Sequence, residues 1–270
     1  MNPQDLADRI HALNGFKHCV TYYGPSSQEE LLAVINQEHR VPETLKDIPA
    51  GKNFEQPLTT ETQIFIAPYE AKQVYMAQFS NKGEKYNPAI EADRTLYNEY
   101  FGGAMNSIVF QEMRESRSLA YSAGASFSRP SRLPDPYAMG TIIATQNDKL
   151  TDAIRAFDEI INDMPQSETA FRLAKESLIS RLRTERIIKD EVIWSYINAQ
   201  RLGENTDSRI RIYQGLQDAT LQDVVNFQQQ WIKGRTYKYC ILGDKKELDM
   251  NALKKLGPVK ELTTEEIFGY

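Results

Sequence analysis

The sequence predicts an α+β domain in two layers: a mixed, mostly antiparallel sheet of about five to six strands, with helices packed on one face. Strand-like runs rich in Ile, Val, Phe and Tyr come in pairs. Amphipathic helical patterns lie between and after these pairs, instead of alternating with single strands as in a doubly wound parallel sheet. With 270 residues, 41% of them apolar, the chain can bury one large core or two smaller ones.

Each element of this domain has its own local signal. Strands show β-branched and aromatic residues, and helices show one apolar stripe, often behind a capping residue. Proline and glycine separate them. The predicted elements are, in chain order, strands over 63–67 and 73–80, helices over 87–103 and 106–115, strands over 119–128 and 137–145, a helix capped at Asn147, helical patterns over 167–202, a helix after Thr220 and a strand over 237–242.

The start of the chain resembles its end, which indicates an internal repeat. Both copies have a helix cap, an acid three residues on, a strand-like Lys-x-Cys run and a glycine, which are Asn2, Asp5, Cys19 and Gly24 in the first and Thr220, Asp223, Cys240 and Gly243 in the second. Asp5 and Asp223 are 218 residues apart by subtraction. We therefore interpret residues 1–39 as the helix–strand–helix tail of a preceding homologous domain, the proline-containing residues 40–60 as a linker, and 61–270 as a complete domain.

Composition argues against several classes of partner. The net charge is −5 and no basic, aromatic-interleaved patch occurs, so we expect no nucleic-acid binding. No apolar run approaches the ~20 residues that cross a bilayer, so we expect no membrane insertion. Cys19 and Cys240 lie in apolar runs without metal-type spacing, and we expect two buried, reduced thiols.

Histidine limits the chemistry available to this chain. His11, His18 and His39 are the only three, and neither HExxH nor HxxEH occurs. No histidine follows residue 39, so the complete domain cannot hold a Ser-His-Asp or Cys-His arrangement. We therefore predict no catalytic residue and no metal ligand here, and expect the 270-residue chain alone to bind no stoichiometric zinc and to hydrolyse no peptide.

The run FGGAMNSIVFQEMRESRSLAYS at 101–122 is the most specific motif. It resembles the carboxyl-terminal, non-catalytic domains of the family of pitrilysin, insulin-degrading enzyme and mitochondrial processing peptidase. Those domains have a glycine-rich helix entry followed by S-x-hydrophobic-aromatic-x-x-x-R-x-x-x-x-L-A-Y-S. The match is specific over about twenty residues, and the order of elements extends it more weakly from Thr60 to about Leu256.

The resemblance implies a zinc metalloendopeptidase built as two halves around a closed chamber. In that family the amino-terminal half binds zinc through HxxEH, so zinc is expected in the missing amino-terminal half and not in this segment. The carboxyl-terminal half supplies an Arg and a Tyr seven residues apart that contact the bound peptide, and Arg114 and Tyr121 match them. For an arbitrary pair, helix-dipole complementation by Arg and strand packing by Tyr would be the plainer reading.

Three functions follow as hypotheses. In the first, the chain is the zinc-free part of a single-chain peptidase and contacts both the peptide substrate and the amino-terminal catalytic half. In the second, it is a non-catalytic partner subunit of a separate HxxEH chain. In the third, it is a degenerate scaffold or peptide-binding domain without proteolysis. Arg114→Ala and Tyr121→Phe distinguish the third hypothesis from the others.

Overall fold

A computed structural model describes residues 2–103 and 105–269. The chain divides into two compact units. The smaller unit comprises the residues up to Glu55 together with Arg186–Ile197, and the larger comprises Gln56–Glu185 and the residues from Asn198 onwards. No helix in the described ranges is long and apolar enough to cross a membrane.

The larger unit is built on a six-stranded open sheet with the order β3-β4-β2-β5-β1-β6. β1 is parallel to β5 and to β6, and the other three pairs are antiparallel. The strands are β1 Gln63–Pro68, β2 Gln73–Ser80, β3 Ser122–Ser128, β4 Ala138–Gln146, β5 Lys238–Gly243 and β6 Val259–Glu261. The predicted α+β class with a mixed, mostly antiparallel sheet is confirmed.

Along the chain, helices precede, separate and follow the strands. They contribute most of the buried hydrophobic residues. The α-helices are α1 Pro3–Ala12, α2 Gln28–Glu38, α3 Glu91–Asn98, α4 Ile108–Phe110, α5 Leu150–Asn162, α6 Glu168–Thr184, α7 Glu191–Arg201, α8 Ser208–Asp218, α9 Leu221–Phe227, α10 Met250–Leu256 and α11 Thr264–Phe268. π-helical turns extend α3 over Glu99–Gly103, α4 over Gln111–Ser116 and α9 over Gln228–Ile232. The pattern predicted over 167–202 forms two helices, and Lys189 between them has a φ of 55°.

One face of the sheet packs on the core and the other is open. Alternate residues such as Ile64, Met76 and Ile241 are buried together with α5, where Phe157 and Ile161 are fully inaccessible. The intervening residues face outward, and Tyr75 and Ile142 are more than half exposed. Cys240 belongs to this outward set and is exposed, as is Cys19, so the expectation of buried thiols was wrong. Apolar residues occur on both faces of β5, so the sequence pattern does not indicate which face Cys240 occupies.

The smaller unit contains amphipathic helices without a core of their own. Neither α1 nor α2 has a buried residue, and Leu6 and Ile10 are more than half exposed. The strand predicted around Cys19 does not form: residues 17–23 are irregular, and only an isolated bridge joins Phe16 to Lys46. A strand needs a neighbouring strand to bond its backbone, and the described residues of this unit provide none.

Candidate functional site

The segment between α4 and β3 brings the two predicted site residues to one place. Ser107 caps α4 by accepting a hydrogen bond from the Phe110 amide across 3.4 Å. The π-turn that follows ends at Ser116, Arg117 caps it, and Ser118 then adopts a left-handed φ of 50°, which reverses the chain. After this reversal the Tyr121 amide donates to the Ala144 carbonyl across 3.0 Å. The strand β3 begins at Ser122, three residues later than predicted, so Tyr121 lies one residue before it.

Arg114 and Tyr121 line the same concavity, which has a volume of about 250 Å³. Its lining residues are Arg114, Ser118, Leu119, Ala120, Tyr121, Thr145, Gln146 and Lys149. Half of the Arg114 side chain and 60% of Tyr121 are exposed. The two residues therefore lie neither on opposite sides of the fold nor in its core. Either arrangement would have ruled out a joint contact with one ligand.

The Arg114 guanidinium is oriented but retains its hydrogen-bonding capacity. It lies 5.0 Å from the centre of the Phe110 ring, an arrangement that favours a cation over the ring face. The Glu115 carboxylate forms an ion pair with it at 3.7 Å, which is beyond hydrogen-bonding distance. Among the described residues, none accepts a hydrogen bond from Arg114 or pairs with the Tyr121 hydroxyl. Both groups can therefore donate to a ligand in the concavity.

Lys149 is a second cationic residue of this concavity, and the sequence analysis missed it. Its ammonium group donates to the Ser118 carbonyl across 3.4 Å. Lys149 is 28 positions after Tyr121 by subtraction and belongs to no motif. It arrives there because β3 and β4 pair antiparallel, with Ser122 opposite Ala144, so the end of β4 lies beside the start of β3. A correct strand pairing was the one signal that could have located it.

Arg117, which caps the π-turn beside the site, forms a structural ion pair. Its guanidinium donates to both carboxylate oxygens of Glu159 on α5, at 2.7 and 3.1 Å, and to Glu112 at 3.3 Å. The hydrogen bonds from Arg117 lower the pKa of the Glu159 carboxyl, and the same bonds raise the pKa of Arg117. Both partners are therefore charged at neutral pH, and the ion pair holds the loop on α5.

Gly102 allows close packing behind the site. A Cβ atom at this position would lie 2.1 Å from the Ala125 carbonyl oxygen in β3. Real Cβ atoms do not approach backbone so closely, so the end of α3 can meet the strand only without a side chain. Gly102 of the motif thus has a packing function.

The histidines do not assemble a metal site with other ligands. His18 and His39 meet with their Nε2 atoms 2.7 Å apart, and the Nδ1 atom of His18 is 2.7 Å from the Phe16 carbonyl. Within the part of the chain that the structure describes, no group of three or more His, Cys, Asp or Glu residues could hold a metal ion. Structural zinc requires four ligands and catalytic zinc three.

Comparison with known proteins places this geometry in context. Residues 13–178 match a family model described as the peptidase M16 inactive domain. No curated protein sequence matches the chain.

Several solved structures share the fold at low sequence identity. A peptidase M16 inactive domain from Pseudomonas fluorescens has 17% identity and a TM-score of 0.60, over 88% of this chain and 53% of that one. A protease from Helicobacter pylori has 12% identity and a TM-score of 0.63, over 81% and 53%. The periplasmic protease PqqL from Escherichia coli has 15% identity and a TM-score of 0.56, over 82% and 25%. The chain thus spans about half the length of the first two structures and a quarter of the third.

Proposed function

Because the chain belongs to the family of the peptidase M16 inactive domain, we propose that it is the zinc-free part of a zinc metalloendopeptidase, where it closes the peptide-binding chamber and positions the substrate. Arg114 and Tyr121 are the substrate-contacting residues in this proposal. The observation that supports it is their joint lining of one open concavity, with donor groups that no described residue uses.

The chemistry of the two side chains suits a peptide carbonyl. Guanidinium and phenol groups donate hydrogen bonds, and the carbonyl oxygen of a scissile peptide gains negative charge as it is attacked. Donors that are already oriented stabilise this charge more in the transition state than in the ground state, and so accelerate the reaction. Phe110 keeps the Arg114 guanidinium oriented before substrate arrives. Removing one donor of this kind typically costs ~2.7–4 kcal/mol of transition-state stabilisation.

The zinc ion of the proposed peptidase does not fit the residues of this chain. His18 and His39 provide two imidazoles, and the third ligand that a catalytic zinc requires is not found among the described residues around them. The proposal therefore assigns zinc to an amino-terminal half or to a partner subunit, and this chain contributes only donors to the substrate.

The same proposal treats residues 1–39 as the tail of a preceding homologous domain. By the repeat, Leu6 on α1 corresponds to Val224 on α9. Val224 is fully buried in the core of the larger unit, whereas Leu6 is 51% exposed. A helix whose apolar stripe is exposed is expected to bury it against another element. The repeat indicates that this element is the remainder of a second α+β domain.

Steady-state hydrolysis by the assembled peptidase tests the proposal. Arg114→Ala and Tyr121→Phe should each lower kcat/KM about 10²–10³-fold, as the loss of an oxyanion donor does. Arg172→Ala and Tyr69→Phe are matched controls at exposed positions outside the concavity, and they should leave kcat/KM unchanged. Wild-type kcat/KM in the double variant Arg114→Ala/Tyr121→Phe would overturn the positioning role and favour the scaffold hypothesis.

A further inference from the structure

We propose that the concavity of Arg114 and Tyr121 also binds a carboxylate of the peptide substrate, with Lys149 as the residue that recognises it. This inference rests on the proposed function and specifies the substrate class of the same site. The carboxylate belongs to an acidic side chain or to the carboxyl terminus of the peptide.

The charge on the walls of the concavity supports an anionic ligand. Its described lining contains two cations, Arg114 and Lys149, and no carboxylate. The surface groove along α6 differs, because there Glu168 and Glu176 alternate with Arg172 and Lys175 and the charges compensate one another. Two like charges around one small concavity repel each other, and a bound anion relieves this repulsion.

The nearby acids compensate only part of this positive charge. Glu115 forms an ion pair with the Arg114 guanidinium at 3.7 Å, but both side chains are about half exposed and Glu115 does not line the concavity. Asp152, in the first turn of α5, pairs with Arg155 at 3.3 Å. In the described part of the chain, no carboxylate lies within ion-pair distance of Lys149, whose single hydrogen bond goes to the Ser118 carbonyl. An ammonium bonded only to a neutral carbonyl can still accept a carboxylate partner.

The start of α5 adds to the preference for an anion. A 3₁₀ turn over Asn147–Lys149 runs directly into α5, and no side chain caps its amino end. The helix dipole makes this end electropositive, and Gln146 and Lys149 there line the concavity. The backbone of Ser118 has a left-handed conformation, and its carbonyl accepts a hydrogen bond from the Lys149 ammonium. This bond holds the ammonium at the wall of the concavity.

The size of the concavity relates the carboxylate to the cleaved bond. A volume of 250 Å³ corresponds to a sphere roughly 8 Å across, which spans about two residues of extended peptide. A carbonyl held by Arg114 and Tyr121 and a carboxylate held by Lys149 therefore come from the same or adjacent residues. This predicts a preference for an acidic residue next to the scissile bond, or for a free carboxyl terminus there.

The test compares peptide substrates of the assembled peptidase that differ only in one carboxylate. In one pair, the residue beside the scissile bond is Glu or its uncharged isostere Gln. In the second pair, the peptide ends beside the scissile bond in a free carboxylate or in an amide. Lys149→Met should lower kcat/KM about tenfold on the carboxylate member of one pair and leave the neutral member within about twofold. The pair that responds identifies the source of the carboxylate. Lys149→Arg should restore the preference, because it keeps the positive charge.

Controls separate binding from a structural contribution of Lys149. Lys246→Met removes an exposed ammonium elsewhere and should change neither substrate pair. Equal losses on charged and neutral peptides, or no selective loss on either pair, would overturn the proposal. A selective effect of Lys149→Met combined with wild-type activity of Arg114→Ala/Tyr121→Phe would instead refute the proposed positioning of the carbonyl. Failure of carboxylate recognition and failure of the proposed function are therefore distinguishable.

Discussion

The Arg117 guanidinium forms a bidentate ion pair with Glu159, with hydrogen bonds of 2.7 and 3.1 Å. This pair connects the loop over 116–121, which supports the site, to α5. This contact fixes the short loop that connects Arg114, in the π-turn, to Tyr121, and so helps to hold both at one concavity. The ion pair is partly exposed, so its value lies in fixing the loop and not in global stability.

The first prediction concerns this ion pair. Arg117→Ala should leave thermal unfolding nearly unchanged but speed amide hydrogen exchange over 116–121, because the loop loses its contact with α5. Arg172→Ala, which breaks an exposed pair with Glu176 within one helix, is the matched control. Unchanged exchange over the loop would show that the backbone bonds alone hold it.

The same contact should respond to acid. The hydrogen bonds that Glu159 accepts from Arg117 lower the pKa of the Glu159 carboxyl. The ion pair therefore stabilises the loop fully above the unfolded-state pKa of Glu159, and this stabilisation is lost as pH falls through the folded-state pKa. Hydrogen exchange over the loop, corrected for the intrinsic pH dependence, should therefore rise in acid in the wild type and stay high throughout in Arg117→Ala. Parallel pH profiles for the two proteins would contradict the assignment.

A second prediction concerns close packing behind the site. Gly102→Ala should destabilise the larger unit by about 3 kcal/mol, because the new methyl group meets backbone that cannot yield without moving β3. Gly140→Ala is the matched control in β4, where a Cβ atom would make only an ordinary contact of 3.9 Å with the Gln78 carbonyl. Urea unfolding measures both, and equal midpoints for the two variants would refute the close approach.

A third prediction concerns Asp158 beneath the sheet. Burial raises the pKa of its carboxyl, although Gln78 and Tyr239 donate to it across 3.2 and 3.5 Å. A raised acid pKa means that stability is greatest below the unfolded-state pKa and declines as pH rises through the folded-state pKa. Asp158→Asn keeps an acceptor for both donors, so it should be more stable than wild type at pH 7 and should lose this decline. Asp152→Asn, exposed on the same helix, is the control, and equal pH profiles for Asp158→Asn and wild type would contradict the argument.

A fourth prediction tests the proposed tail of a preceding domain. Leu6→Ser should leave urea unfolding of the 270-residue chain unchanged, because Leu6 is exposed there, whereas Val224→Ser at the matching position should cost about 2 kcal/mol or more. In the assembled peptidase, Leu6→Ser should also destabilise, because the proposal covers that face. If Leu6→Ser remained neutral there, residues 1–39 would not complete a second domain.

The sequence predicted the fold to the extent that each signal was local. Strand alternation located β1, β2 and β5 to within about two residues, and the loop motif brought Arg114 and Tyr121 together. β6 was missed because its three residues depend on the neighbouring β1 and have no pattern of their own. Lys149 was missed because only strand pairing brings it to the concavity. The prediction of a strand around Cys19 was wrong because a strand requires a partner strand, and the described part of this unit contains none.

A double-mutant cycle in the assembled peptidase tests most directly whether Arg114 and Tyr121 act on one carbonyl group. The cycle compares kcat/KM for wild type, Arg114→Ala, Tyr121→Phe and the double variant on one neutral peptide. Residues that contact the same reacting group are non-additive, and the expected coupling is about 0.5–3 kcal/mol between the two substitutions. Large single losses that simply add, or single variants as active as wild type, would contradict a shared substrate contact.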